Sequence, residues 1–364
     1  MSAGSRRLNR LPPIVLLLVL GLVSGSLSVH AQDSGDSRQG PDGIDNEEMP
    51  WFREVPGREK YLLIINGPGA TPAARQRFAE WSADLHDLFP ALGYRENSIT
   101  LLFDEGKTDA APGERVDGST RREDVASFME DLATRAAPGD QLTVILIGHG
   151  SSRFGEARIN NAGPDVTASE FADMLEPFEG VDIAVINTTS ASYPFSEALS
   201  APGRVIISAT RSPAERYDTM FSGFLVEALE ERNADLDRNG RLSLLEVFNH
   251  TRRSVEGWYE EQGRLATEHA VLDDSGDGNF VAEPEPLQGD GLLAEVAYLD
   301  SPQMAREQLS PQAQELRARM QELERSVVLL RGRKNDYLES EYWQRMESLL
   351  VELAQTTRRF HELP

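Results

Sequence analysis

Five short apolar runs punctuate the first three hundred residues: Tyr61–Asn66, Ser98–Phe103, Leu142–Gly148, Asp182–Asn187 and Arg204–Ser208. Unbroken Val/Ile/Leu runs of this length suit strands covered on both faces, the environment of a parallel sheet. Helical periodicity fills the intervals. Arg75–Phe89 is amphipathic, and Thr120–Glu123 and Thr167–Glu170 each have the Thr-x-x-Glu spacing of a capping box. Strand and helix in alternation predict an α/β fold with a mostly parallel six-stranded sheet and helices on both faces. Gly291–Leu299 is assigned as the sixth strand.

From Ser310 the period changes. Leu316, Met320, Leu323, Val327 and Leu330 step by four and three, and Tyr342, Met346, Leu349 and Leu353 repeat the step. Two heptad stripes broken by the polar stretch Arg331–Ser340 predict an α-helical hairpin over 301–364. It either packs on its own domain or serves self-association or a protein partner. At the other end, Arg6, Arg7 and Arg10 precede the ten-residue apolar run Ile14–Val23, followed by Val29-His30-Ala31. Residues 1–31 read as a secretory signal peptide cleaved before Gln32. Residues 32–58 read as an acidic disordered linker, and 59–300 as the main domain. The expectation is a secreted or periplasmic protein with no stable membrane insertion after signal cleavage.

Composition narrows the function. The 364 residues carry 36 basic and 60 acidic side chains, a formal charge of −24. Such a surface repels phosphate, so nucleic acid is not the expected partner. Cysteine is absent. That excludes disulfides, zinc–thiolate sites, iron–sulfur clusters, a cysteine nucleophile and a lipidated cleavage site.

Functional residues of open parallel sheets gather beyond the carboxyl ends of strands. Here the third run ends in Gly148-His149-Gly150 and the fourth leads into Thr188-Thr189-Ser190-Ala191-Ser192-Tyr193. A histidine beside a hydroxyl cluster is the pairing that nucleophile and general base require, and Gly150 offers a backbone N–H to an oxyanion. The order of elements and these motifs resemble the caspase-like fold, especially its legumain-like and related bacterial branches. There a His-Gly follows the third strand and a Cys-x-Ser-Gly pattern the fourth. The resemblance covers about residues 59–285, with Ser190 (or Thr189, one residue earlier) in place of the cysteine and Tyr193 in place of the glycine. A serine hydroxyl is far less acidic than a thiol and needs a well-oriented base. No acidic residue adjoins His149 in sequence. The resemblance therefore implies an inactive pseudo-peptidase acting as a scaffold or partner-binding module. The alternative is a serine-dependent peptidase or amidase using Ser190 and His149.

Residues 235–246 match the twelve-residue EF-hand loop. Asp235, Asp237 and Asn239 stand at positions 1, 3 and 5. Gly240 takes the turn, Arg241 presents a carbonyl, Ser243 a direct or water-mediated contact, and Glu246 a bidentate carboxylate. The expected ligand is Ca²⁺. Asp273–Gly278 resembles half of a second loop, but Pro284 at its twelfth place cannot ligate through a side chain, so it reads mainly as a turn. A calcium-responsive sensor whose hairpin engages another protein is a third reading of the whole.

Overall fold

The structure, a computed structural model, describes residues 50–53, 57–107, 112–153, 155–231, 233–236, 240–286, 289–300 and 310–363. The expected signal segment and residues 32–49 of the expected linker lie outside the described residues, as do Asp237 and Asn239 of the expected calcium loop.

The elements run β1 (Lys60–Asn66), α1 (Pro72–Leu88), β2 (Ile99–Phe103), α2 (Arg122–Arg135), β3 (Gln141–Ile147), β4 (Gly150–Arg153), β5 (Glu156–Ile159) and β6 (Val166–Thr167). They continue with α3 (Ala168–Leu175), β7 (Asp182–Asn187), α4 (Tyr193–Glu197), β8 (Arg204–Ser208), α5 (Phe221–Glu230) and α6 (Leu244–Glu261). Last come β9 (Val271–Asp273), α7 (Leu292–Val296), α8 (Pro311–Gly332) and α9 (Glu339–His361). The main sheet has the order β2-β1-β3-β7-β8-β9, with β4, β5 and β6 forming a small second sheet. Pairings among the first five strands of the main sheet are parallel; β9 joins β8 antiparallel.

The five apolar runs are the five parallel strands. Alternate side chains feed opposite layers, as the two-residue period demands. Leu62 and Ile64 join the core under α1, α5 and α6, while Tyr61, Leu63 and Ile65 join the core under α2 and α3. Two sequence expectations are corrected. Gly291–Leu299 is no strand: Gly291 takes a left-handed φ of 109° and caps the short helix α7. The sixth strand is β9, three residues long and too brief to announce itself by period. Thr120 also does not cap α2, whose N-cap is Arg121. Its hydroxyl donates to the Asp104 carbonyl at 3.2 Å and accepts from the Ala162 N–H at 3.0 Å. The Thr167–Glu170 box forms as expected, opening α3.

The helical hairpin is present. Its first helix docks on the domain: Leu329 enters the core and Arg331 pairs with Glu295 at 2.8 Å. Arg325 Nη1 donates at 2.9 Å to the carbonyl of Phe52, a buried residue of the stretch read as linker. The second helix packs on the first through Leu330, Tyr342 and Met346, flanked by Val327 and Leu349. No helix among the described residues is long and apolar enough to cross a membrane.

Candidate functional site

The strands β3 and β7 are parallel neighbours, and they deliver the expected pair side by side. Past their ends, His149 and Ser190 form an isolated parallel bridge, with the Ser190 N–H donating to the Gly148 carbonyl at 3.4 Å. The glycines around His149 are sterically required. Gly148 has φ 130°, and a Cβ on Gly150 would lie 2.5 Å from the Ser190 carbonyl oxygen.

Both ring nitrogens of His149 are engaged, and neither by Ser190. The Ala70 N–H donates to Nε2 at 3.1 Å. Nδ1 faces Asp218 Oδ1 at 3.5 Å, and Arg77 Nη2 binds Asp218 Oδ2 at 2.8 Å. An Nε2 that accepts from Ala70 leaves the proton of the neutral ring on Nδ1, toward the carboxylate. Phe78 packs edge-on against the imidazole at 5.5 Å between centroids. The loop that brings Ala70 follows β1 and lies beside the crevice between β1 and β3, where the strand order reverses. Gly67 donates to the Ile147 carbonyl at 3.0 Å, and a Cβ there would sit 2.1 Å from the Asn160 carbonyl oxygen.

The hydroxyls beyond β7 are likewise committed. Ser190 is 2% exposed, and its Oγ accepts a long 3.4 Å contact from the Gly150 N–H, the expected oxyanion donor. Thr189 donates its hydroxyl to Asn187 Oδ1 at 2.7 Å. Ser192 Oγ is shared with Ser208 and Thr210 at 2.9 and 3.0 Å. Tyr193, where the resemblance has glycine, turns its ring onto Phe280 at 5.5 Å. Ala191 holds a left-handed φ of 50°, a strain of about 1–2 kcal/mol for a residue with a Cβ. Its N–H donates to the Glu215 carbonyl at 2.7 Å. Glu215 in turn holds His269 Nδ1 at 2.5 Å, and Thr219 donates to the Thr188 carbonyl, so the loop carrying Asp218 is pinned at both ends.

The second site lies between α5 and α6. Gly240 makes the sharp turn at φ 78° and donates to Asp235 Oδ2 at 3.0 Å. Glu246 reaches back across the loop: its Oε1 accepts from the Leu236 N–H at 3.0 Å. Its Oε2 accepts from the Ser243 N–H and Oγ at 3.0 and 2.8 Å. Ser243 and Glu246 thus form the capping box that starts α6. The Arg241 side chain turns away to Asp300 Oδ2 at 2.6 Å and lies over the Tyr298 ring, leaving its carbonyl to the loop. Asp235 Oδ1 is buried without a hydrogen-bond partner, an acceptor with the chemistry a hard cation takes. No cluster of three metal-binding His, Cys, Asp or Glu side chains occurs among the described residues, a set that omits Asp237 and Asn239. The half-loop at Asp273 is a turn: its carboxylate accepts backbone N–H groups from Ser275, Gly276 and Gly278 at 3.0–3.2 Å.

Sequence spacing missed Asp218, Arg77 and Ala70. Nothing local marks them, because Asp218 and Ala70 reach His149 from different loops and Arg77 reaches Asp218 from α1. A cavity of about 250 Å³ lies away from this edge, lined by Phe52, Tyr298, Gln321, Arg325 and Val328 among others. No family model and no curated protein matches the chain. Among solved structures, protein GSU0716 from Geobacter sulfurreducens aligns at 12% identity and a TM-score of 0.40, covering 59% of this chain and 92% of that one. Caspase-1 from Spodoptera frugiperda aligns at 13% identity and a TM-score of 0.39, covering 60% of this chain and 83% of that one. Neither likeness is close enough to carry an inference about what this chain does.

Proposed function

We propose that the chain is an exported, calcium-binding protein of the caspase-like type that lacks peptidase chemistry and acts as a scaffold or partner-binding module. The observation that carries the reading is the commitment of His149. A general base must accept the nucleophile's proton on a free lone pair. Nε2 already accepts from Ala70, and Nδ1 faces Asp218. Ser190 and Thr189 are buried on other partners, and no cysteine exists to replace them. The calcium part rests on the loop spacing, the left-handed Gly240 and the orphaned Asp235 oxygen. Export rests on the pattern of residues 1–31.

One observation favours the second reading, a serine-dependent hydrolase. Asp218 stands behind His149 as the orienting acid does in a Ser-His-Asp triad. That reading requires the Gly67–Ala70 loop to release Nε2. The two are separated by treating the calcium-loaded protein with a serine-directed fluorophosphonate and weighing it intact. The scaffold reading expects no adduct. An adduct on Ser190 that disappears in His149→Ala establishes the hydrolase.

A further inference from the structure

The outer helix of the hairpin has two apolar faces, and only one is used. Tyr342, Met346 and Leu349 face α8. Trp343, Leu350 and Val351 are 53%, 47% and 48% exposed, and Ala354 is exposed with them. With Glu347 and Arg358 they follow the spacing i, i+4, i+7, i+8, i+11, i+15, which is one continuous helical face. Of the eight large apolar side chains exposed among the described residues, three share this strip. Leu338 caps the same helix and the other four lie in other segments, so the strip is a patch and not the scatter usual on a surface.

We propose that this face pairs with its own copy, antiparallel, about a two-fold axis between Leu350 and Val351. Charge selects the occupant and the direction. The whole chain carries −24, yet residues 310–364 hold nine basic and nine acidic side chains. The hairpin meets its copy without the repulsion that other faces of so acidic a chain would meet. Along α9 the sign changes: Glu339, Glu341 and Glu347 outnumber Arg345 in the first half, and Arg358 and Arg359 outnumber Glu352 in the second. An antiparallel pair sets acidic half against basic half, and a parallel pair sets like against like. With that axis, Leu350 meets the partner's Val351, and Trp343 meets the partner's Arg358, a cation–π pairing. One helix pair buries less than the roughly 1,200 Å² of a standard interface, so the association is weak, with a dissociation constant of about 10 μM or higher.

The cysteine-free chain suits a cross-linking test. Sedimentation velocity up to several hundred micromolar should pass from monomer to dimer. The double variant Leu350→Glu with Val351→Glu should stay monomeric with unchanged helix content, since both side chains are exposed in the monomer. Under mild oxidation Leu350→Cys should form a covalent dimer. Trp343→Cys alone should not, and an equal mixture of Trp343→Cys and Arg358→Cys should. A chain that sediments as a monomer throughout overturns the proposal. So does a dimer that survives the double glutamate variant, or Trp343→Cys cross-linking to itself as readily as Leu350→Cys, which marks parallel pairing.

Discussion

A histidine at a strand end is ordinary; one whose two nitrogens answer to different loops is informative. His149 was legible from the Gly-His-Gly pattern, and so was its neighbour Ser190, because adjacent parallel strands deliver their ends side by side. The acid behind it was not legible: Asp218 reaches the ring through a loop held by Glu215 and Thr219, and spacing along the chain carries no trace of that. Glu268 was equally invisible. It lies at the start of α5, accepting from the Met220 N–H at 2.8 Å and the Phe221 N–H at 3.2 Å, with Tyr259 donating at 3.1 Å. Burial pushes its carboxyl up to about 7, and burial pushes Asp182 and Asp274 up to about 6. The sign follows from proton binding. Between about pH 4.5 and 7 the folded Glu268 holds a proton that the unfolded chain has released, so stability falls as pH rises through that window. For Glu268 the loss is on the order of 3 kcal/mol. Urea midpoints measured in chelator should therefore be higher at pH 5 than at pH 7.5. Glu268→Gln should lower the midpoint at pH 5 more than at pH 7.5 and shrink the difference. A midpoint that rises toward neutral pH contradicts the assignment.

At the scale of elements, long patterns were legible and short ones were not. Five strands declared themselves as continuous apolar runs, and the heptads of α8 and α9 as stripes. A three-residue strand such as β9 has no period, and the apolar content of α7 mimicked a strand. Capping boxes were decided by competition: Ser243 and Thr167 keep their hydroxyls for the helix, whereas Thr120 gives its own to the Asp104 carbonyl and the Ala162 N–H. The proposed calcium loop makes the capping residue do two jobs, because Glu246 closes both the box and the turn through the Leu236 N–H. Glutamine preserves a capping box but cannot ligate through two oxygens. Glu246→Gln should thus melt alike in calcium and in chelator, having lost the calcium-dependent gain, and its melt in chelator should lie somewhat below the parent's because one of the two accepting oxygens is replaced by a donor. That gain is about 2.7 kcal/mol at a hundredfold excess over the dissociation constant. Equal melts of the parent in calcium and in chelator would sink the calcium assignment.

For the whole molecule, the fold class followed from the alternation of strand and helix, while the state of the site did not. Motifs name which residues meet; only packing says whether a lone pair is left over. The carboxyl edge of the sheet is committed rather than free: the Ala70 N–H occupies His149 Nε2, and Ser190 is buried. The most direct measurement uses Ser190→Cys, which supplies a thiol whose anion forms beside an imidazole far more readily than an alkoxide. The folded, calcium-loaded variant is treated with thiol-directed peptide probes and weighed intact, with a urea-unfolded sample alongside. Labelling is expected only of the unfolded chain. Stoichiometric labelling of the folded protein at position 190, lost when His149→Ala is added, would contradict this and show an open, working cleft.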